Sequence, residues 1–312
     1  MKKFIWVLAA ATCLAGVSSV SAEPLRLMTG PQGGIWVPLG GQLKDIWEKA
    51  IPGLSVQALP GAGVANAKGI ETGKAEIGFG NTITTADAVK GNKPFEKPYA
   101  SLCNIGTLYP QYFQVIVMAD SGINAIKDIK GKALTTQPKG NTGEMITQNM
   151  LSVAGLSYSD VKASFVSYTD SATQMKDNQA QMFTLGTGIP AASVMDIAAG
   201  RDIKLIDMAD MIAGMKKINP GYTLLDVPAG TYPKQDKVVK VIGYATHLAV
   251  NCKLPEDMVY KMTKAVMDNK PALVATSKAL SDLTPAMMAM DVGVPFHPGA
   301  AKYFKEAGIA VK

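Results

Sequence analysis

The order of apolar runs and glycine turns predicts an α/β protein of two lobes, with a cleft between them. Three observations carry this expectation. Residues 25–90 alternate short apolar strands with helix-periodic runs in a βαβαβ rhythm, the pattern of a mostly parallel sheet with helices on its faces. The same strand, glycine turn and helix device starts afresh at residues 133–154 and again at 181–199. A long apolar strand region at 238–250 then leads into a helical remainder. A chain that crosses to a second α/β unit and returns for its last helices forms two lobes.

Each element follows from local pattern. Leu25-Arg26-Leu27-Met28 is an apolar strand, and the turn Gly30-Pro31-Gln32-Gly33-Gly34 breaks it. Leu39, Leu43, Ile46, Trp47 and Ala50 recur at helical spacing until Pro52-Gly53 stops them. Ser55 to Leu59 alternates as a strand. Gly61 to Asn66 is a second small-residue turn, and the helix after it ends at Gly73. Ile77 to Gly80 is a strand that runs into Asn81-Thr82 and a third helix. Leu102 to Met118 reads as two strands broken at Tyr109-Pro110. Ala133 to Thr136, Val161 to Val166, Gln181 to Leu185 and Ile203 to Ile206 are further strands. Helices are expected over 142–154, 169–176, 191–199 and from Pro255 onward, with a turn at His297-Pro298-Gly299.

The turns carry the chemistry. A strand feeding a glycine turn feeding a helix aims backbone N–H groups at one point, a receptor for a carboxylate or phosphate. The same stretch also serves as a plain connection, and both readings stand at this level. Asn141 and Thr142 fit a ligand contact or a helix cap. Trp36 fits a cleft wall or a core position. Lys139 fits an exposed turn lysine better than a partner for a second carboxylate.

The chain of 312 residues is long enough for about two domains. It is 47% hydrophobic and 18% charged, a composition that builds a core rather than disorder. Lys2-Lys3, the apolar run Phe4 to Gly16 and the small residues Ser19 to Ala22 form a secretory signal pattern with a cut after Ala22. Its removal leaves a mild mature charge of about +4 from the formal +6. Arginine occurs only at 26 and 201, and the lysines are scattered, which argues against nucleic-acid binding. Cys103 and Cys252 would remain after export, as a disulfide or as buried thiols. His247 and His297 have no partner at metal-ligand spacing. Neither a GxSxG elbow, nor a complete dinucleotide fingerprint, nor a phosphate-loop motif occurs, and the chain is read as a non-enzyme without metal or cofactor.

These residues resemble the solute-binding subunits of TRAP transporters, specifically the TAXI branch, over essentially the whole mature chain. The family's opening Gly-Thr-Gly-Gly-Thr-Gly-Gly-x-Tyr-Tyr-Pro is similar to Met28–Pro38, with Gln32 for a threonine and Trp36 and Val37 for the tyrosines. Asn66 keeps the asparagine of a Gly-Ser-x-x-Asn turn. Asn81-Thr82 stands where Gln-Ser is usual, and Ile83 where an acid is usual. Gly140-Asn141-Thr142-Gly143 is an imperfect Gly-Ser-Gly-Thr turn. Leu108-Tyr109-Pro110, the run from Asp128 to Lys132, the run from Pro228 to Pro233, and His297-Pro298-Gly299 match closely.

The resemblance implies a periplasmic receptor of the type II binding-protein fold, with a hinge and a central ligand cleft. Signal peptide 1–22 would precede lobe I (23–118), lobe II (119–235) and a return to lobe I (236–312). It implies capture of a small organic carboxylate, a glutamate-like amino acid or a dicarboxylate. Delivery would be to a TRAP permease driven by an ion gradient. A monomer is expected. The alternatives are a binding protein that feeds a sensor kinase and, more remotely, a secreted enzyme. The expected ligand residues are Thr29, Gln32, Gly33, Gly34, Ile35, Trp36, Asn66, Asn81 and Thr82 from lobe I, with Gln137, Gly140, Asn141, Thr142, Gly186, Thr187 and Gly188 from lobe II. Neither arginine falls in the lobe II turns, so an arginine–carboxylate fork is not expected as the anchor.

Overall fold

The computed structural model describes residues 23–311; the expected signal peptide and its cut site lie outside the described residues. Ten strands form one mixed sheet. They are β1 Leu25–Met28, β2 Val56–Leu59, β3 Ile77–Asn81, β4 Leu102–Met118, β5 Ala133–Thr136, β6 Lys162–Phe165, β7 Met182–Thr187, β8 Ile203–Leu205, β9 Thr223–Val227 and β10 Val239–Asn251. The order is β2-β1-β3-β10-β4-β7-β5-β6, with β8 on β4 and β9 on β10. The outer triplets are parallel: β1 lies between β2 and β3, and β5 between β6 and β7. Between them β4 and β10 run antiparallel. The helices are α1 Trp36–Ala50, α2 Gly63–Glu71, α3 Thr82–Lys90, α4 Thr142–Val153, α5 Tyr168–Lys176, α6 Ala192–Ala198, α7 Ile212–Ile218, α8 Glu256–Asp268, α9 Lys270–Thr276, α10 Pro285–Met288 and α11 Pro298–Glu306.

Four apolar clusters fill the two lobes. In lobe I, α1 lays Leu39, Leu43, Ile46 and Trp47 against Phe79, Ile105 and Val250, and α8 and α11 close that face with Met262 and Phe304. A smaller cluster around Ile70, Ala88 and Phe95 covers the other face. In lobe II, Phe113, Val115 and Val117 join Ile146, Met150 and Tyr222. Ile116 and Met118 point to the opposite face and meet Phe183 and Val194. The period of two along one strand thus serves two cores. Burying a large apolar side chain in such a core contributes about 1.5–3 kcal/mol.

The expected break at Tyr109-Pro110 does not occur, and β4 is one strand of 17 residues. Proline cannot donate to a ladder and is tolerated where a strand has a free side. Pro110 pairs with Ala245 of β10, while β7 joins β4 only from Tyr112. The proline therefore sits where the neighbour on one side has not yet begun, and β4 continues from lobe I into lobe II. Cys103 and Cys252 form a disulfide, with Cα atoms 5.1 Å apart. It ties the start of β4 to the residue just past β10, so both crossing strands are fastened in lobe I.

Candidate functional site

In an open α/β sheet, guests bind beyond the carboxyl end of a strand whose two neighbours are reached in opposite directions. There are two such points here, at the ends of β1 and β5, and the fold sets them face to face. From β1 the chain turns through Gly33, held at φ +79. A Cβ on Gly33 would meet the Thr169 hydroxyl at 2.8 Å, and one on Gly34 would meet the Tyr168 ring at 3.0 Å. The glycines thus let the lobe I turn lie directly on the start of α5. The Tyr168 N–H donates to the Gln32 carbonyl at 3.1 Å across the gap.

From β5 the chain runs through Gln137 and Gly140 to α4. Asn141 is the N-cap of that helix, its Oδ1 accepting the Gly143 N–H at 3.3 Å. The Thr142 hydroxyl is fully buried and lies 2.9 Å from that of Thr84 on α3. A Cβ on Gly63, at the start of α2, would fall 2.0 Å from Thr142 Oγ1. A third bridge joins the lobes where Asn219 Nδ2 donates to Asp87 Oδ2 at 2.8 Å.

Between these bridges lies an inner cavity of about 20 Å³, walled by Gly34, Ile35, Trp36, Asn81, Gln111, Asn141, Tyr168, Gly186 and Thr187, with Pro31. No lining side chain is charged. Three buried amide atoms at this wall have no hydrogen-bond partner: Asn81 Oδ1, Gln111 Oε1 and Asn141 Nδ2. They come from lobe I, the crossing strand and lobe II. A buried polar atom without a partner costs about 1–3 kcal/mol, so three around one cavity point to a polar guest. The assignment of amide oxygen and nitrogen does not alter that count, since a flip exchanges one orphan for another.

Gly34, Ile35 and Thr187 also line a larger outer chamber of about 390 Å³. Gln32 and Gly33 line that chamber, as do Pro190, Ser277 and Lys278, the last being its one charged wall residue.

Trp36 belongs to the lobe I core cluster and also lines the inner cavity. It is 7% exposed, stacks on Phe79 at 5.4 Å between ring centres, and presents an edge to the inner cavity. Its indole N–H donates to Thr246 Oγ1 at 3.2 Å. Gln111 Nε2 donates to the same hydroxyl oxygen, which fixes the Gln111 side chain and leaves its Oε1 over.

Other expected residues are placed differently. The Thr29 hydroxyl donates to the Leu59 carbonyl. Asn66 is spent on the backbone, accepting from the Ala62 N–H and donating to the Thr29 and Phe79 carbonyls at 2.8 and 2.9 Å. It knits the ends of β1 and β3 to the intervening turn. Thr82 accepts the Ala245 N–H and faces a separate cavity. Gln137 is buried under Gly143, with its Nε2 unpartnered. Gly140 is exposed at φ +84. The Gly186 carbonyl accepts the Tyr168 hydroxyl at 2.8 Å, and Gly188 makes room for Ile35 and Ala279. Lys139 is exposed, its ammonium over the Phe165 ring.

Gln111, Tyr168 and Lys278 escaped the sequence reading. The glutamine one residue past Pro110 is the available signal, one of four buried polar residues in a mostly apolar strand, with Asn104, Thr107 and Gln114. Nothing in the local pattern singled out the other two. Arg26 is held by Glu76 and the Gly73 carbonyl, and Arg201 by the Lys176 carbonyl and Asn178. Neither lines the inner or outer cavity.

The histidines are structural. His247 is fully buried between Asn104 and Thr85, at 2.9 and 2.7 Å, and burial pulls its pKa down to about 3. His297 caps α11 by accepting the Gly299 N–H at Nδ1, which leaves its Nε2–H to donate to the Leu254 carbonyl. Among the described residues no three metal-ligating side chains cluster, and no helix is long and apolar enough to cross a membrane.

Comparison with known proteins gives the same architecture. The family model described as the NMT1-like family matches residues 27–308. A putative L-cystine ABC transporter structure from Listeria monocytogenes is 14% identical, covering 83% of this chain and 95% of that one, with a TM-score of 0.50. The amino acid ABC transporter substrate-binding protein AbpA from Streptococcus pneumoniae, bound to L-arginine, is 12% identical over 83% and 93%, also at 0.50. A structure from Bordetella bronchiseptica RB50 is 18% identical over 92% and 81%, at 0.50. At these identities the likeness establishes the fold, the two-lobe α/β type II architecture of periplasmic binding proteins.

Proposed function

We propose, from the premise that this chain belongs to the NMT1-like family, that it is an exported solute receptor. It captures a small carboxylate-bearing solute between its lobes and hands it to a membrane permease. The observation that carries the reading is that Asn81, Gln111 and Asn141, each with a buried amide atom left unpartnered, line one interlobe cavity. An inner cavity of about 20 Å³ takes one small polar group, and the adjoining 390 Å³ chamber takes the rest of the solute. Lys278, the one charge on the chamber wall, suits a carboxylate there.

Capture works by closure. A solute that touches Asn81 on one lobe and Asn141 on the other makes both contacts only when the lobes meet, so binding favours the closed arrangement. The crossing strands β4 and β10 are the connection about which the lobes move. The motif set from Met28 to Pro38 through His297-Pro298-Gly299 supports a TAXI-type TRAP permease as the partner, and the signal pattern ending at Ala22 supports the periplasm as the place. The absence of charged side chains around the inner cavity favours binding over catalysis at that point.

The test is mass spectrometry of small molecules released by denaturing the protein purified from its own export compartment. One carboxylate-bearing compound per chain, unaltered on incubation with fresh protein, is the expected result. Conversion of that compound would instead support an enzyme, and release of none would leave the receptor reading without its solute.

A further inference from the structure

A second cavity, of about 690 Å³, lies on the other flank of the crossing strands and shares no lining residue with the inner cavity. Its volume is that of a drug-sized ligand site. The walls come from both lobes: Ile83 and Ala86 on α3 and Met287 on α10 face Leu225 on β9, with Tyr109 and Tyr244 of the crossing strands behind. Three charged residues line it, Asp87, Lys90 and Asp291, so the wall carries one net negative charge.

Among the described residues no lysine or arginine nitrogen lies within 4.0 Å of either aspartate. Asp87 is held only by neutral amides, Asn92 at 3.1 Å and Asn219 at 2.8 Å, and Asp291 by the Gly293 N–H. Lys90, on the same helix, lies beyond ion-pair distance and is the weakest of the groups that offset the burial of Asp87; a half-buried carboxylate so placed gains from a cation that joins it. Thr107, 1% exposed, also lines the cavity, and its hydroxyl has no partner.

We propose that this cavity is a second ligand site, for a small organic cation with an apolar body. The ammonium sits against Asp87. The apolar body covers Ile83, Ala86, Leu225 and Met287. Because Asp87 and Asn219 also form one of the bridges between the lobes, an occupant here touches both lobes and stabilises their closed arrangement. The site is thus fitted to modulate capture at the inner cavity as well as to hold its own ligand.

Titration calorimetry of the full chain with phenethylamine, and with hydrocinnamate as its carboxylate counterpart, tests this. Phenethylamine is expected to bind once per chain, and hydrocinnamate not to compete. Asp87→Asn should weaken the amine about tenfold at an unchanged melting temperature. Ala86→Trp, which fills the cavity without touching the charge, should abolish binding. Equal binding of acid and amine, amine affinity untouched by both substitutions, or no amine binding at millimolar concentration would overturn the proposal.

Discussion

Asn141 carries two duties on one side chain. Its Oδ1 caps α4, and its Nδ2 is an unpartnered donor at the inner cavity. In sequence, capping and ligand contact are alternatives at Asn141; an amide has two ends, and the cap uses only one of them. Asn66 and Thr29 went the other way. Their type and position in a turn suggest ligand contact, but backbone carbonyls and the Ala62 N–H take the groups they offer. No local pattern tells an asparagine that knits strand ends from one that faces a guest, since the difference lies in tertiary partners.

His247 yields a prediction at this scale. Its folded pKa of about 3 lies below the ordinary 6.5 of the unfolded chain. The unfolded state therefore binds more protons between those values, and stability is full above pH 6.5 and falls as pH drops toward 3. The slope is about 1.4 kcal/mol per pH unit within that window. The melting temperature should decline below pH 6.5, and His247→Gln should flatten the decline. An equal decline in the variant would assign it to other groups.

Among the elements, β4 and β10 decide the architecture. Hydrophobic pattern marks nearly every strand and helix of the two parallel units, because most of the βα turns carry glycine or proline, those after β1, β2, β5 and β7. The continuity of β4 was hidden, since Tyr109-Pro110 reads as a break and only the delayed start of β7 explains why it is not one. The disulfide was equally hidden, because two apolar strands with one cysteine each fit free thiols as well. Its two cysteines lie 149 residues apart in sequence, and closing so long a loop removes up to about 5 kcal/mol of unfolded-state entropy. Cys103→Ser should lower the melting temperature by several degrees under oxidising conditions. It should change nothing once the parent is reduced, which differential calorimetry with and without dithiothreitol would show.

At the scale of the whole molecule, among the described residues, three hydrogen-bonded bridges join the lobes: Thr84 with Thr142, Asp87 with Asn219, and the Gln32 carbonyl with the Tyr168 N–H. The first two are side-chain bonds, so substitution can remove them without moving a strand. The double variant Thr84→Val with Asn219→Ala should favour the open arrangement. Its solute-free radius of gyration by X-ray scattering should exceed that of the parent. Equal radii would mean that these bonds do not hold the closure. Such a shift lowers apparent affinity by the fraction of closed protein lost, so a change of about 1.4 kcal/mol reads as tenfold weaker capture.

The central claim is that the orphaned amides between the lobes recognise the solute, and Asn141→Asp tests it most directly. Aspartate keeps an oxygen to cap α4, and its charge suits a helix N-terminus. It replaces the unpartnered Nδ2 donor of this wall residue with a carboxylate oxygen, which cannot donate and repels a carboxylate. Titration calorimetry with the solute identified by mass spectrometry should show at least about a tenfold loss of affinity at an unchanged melting temperature. Affinity equal to that of the parent would contradict the claim.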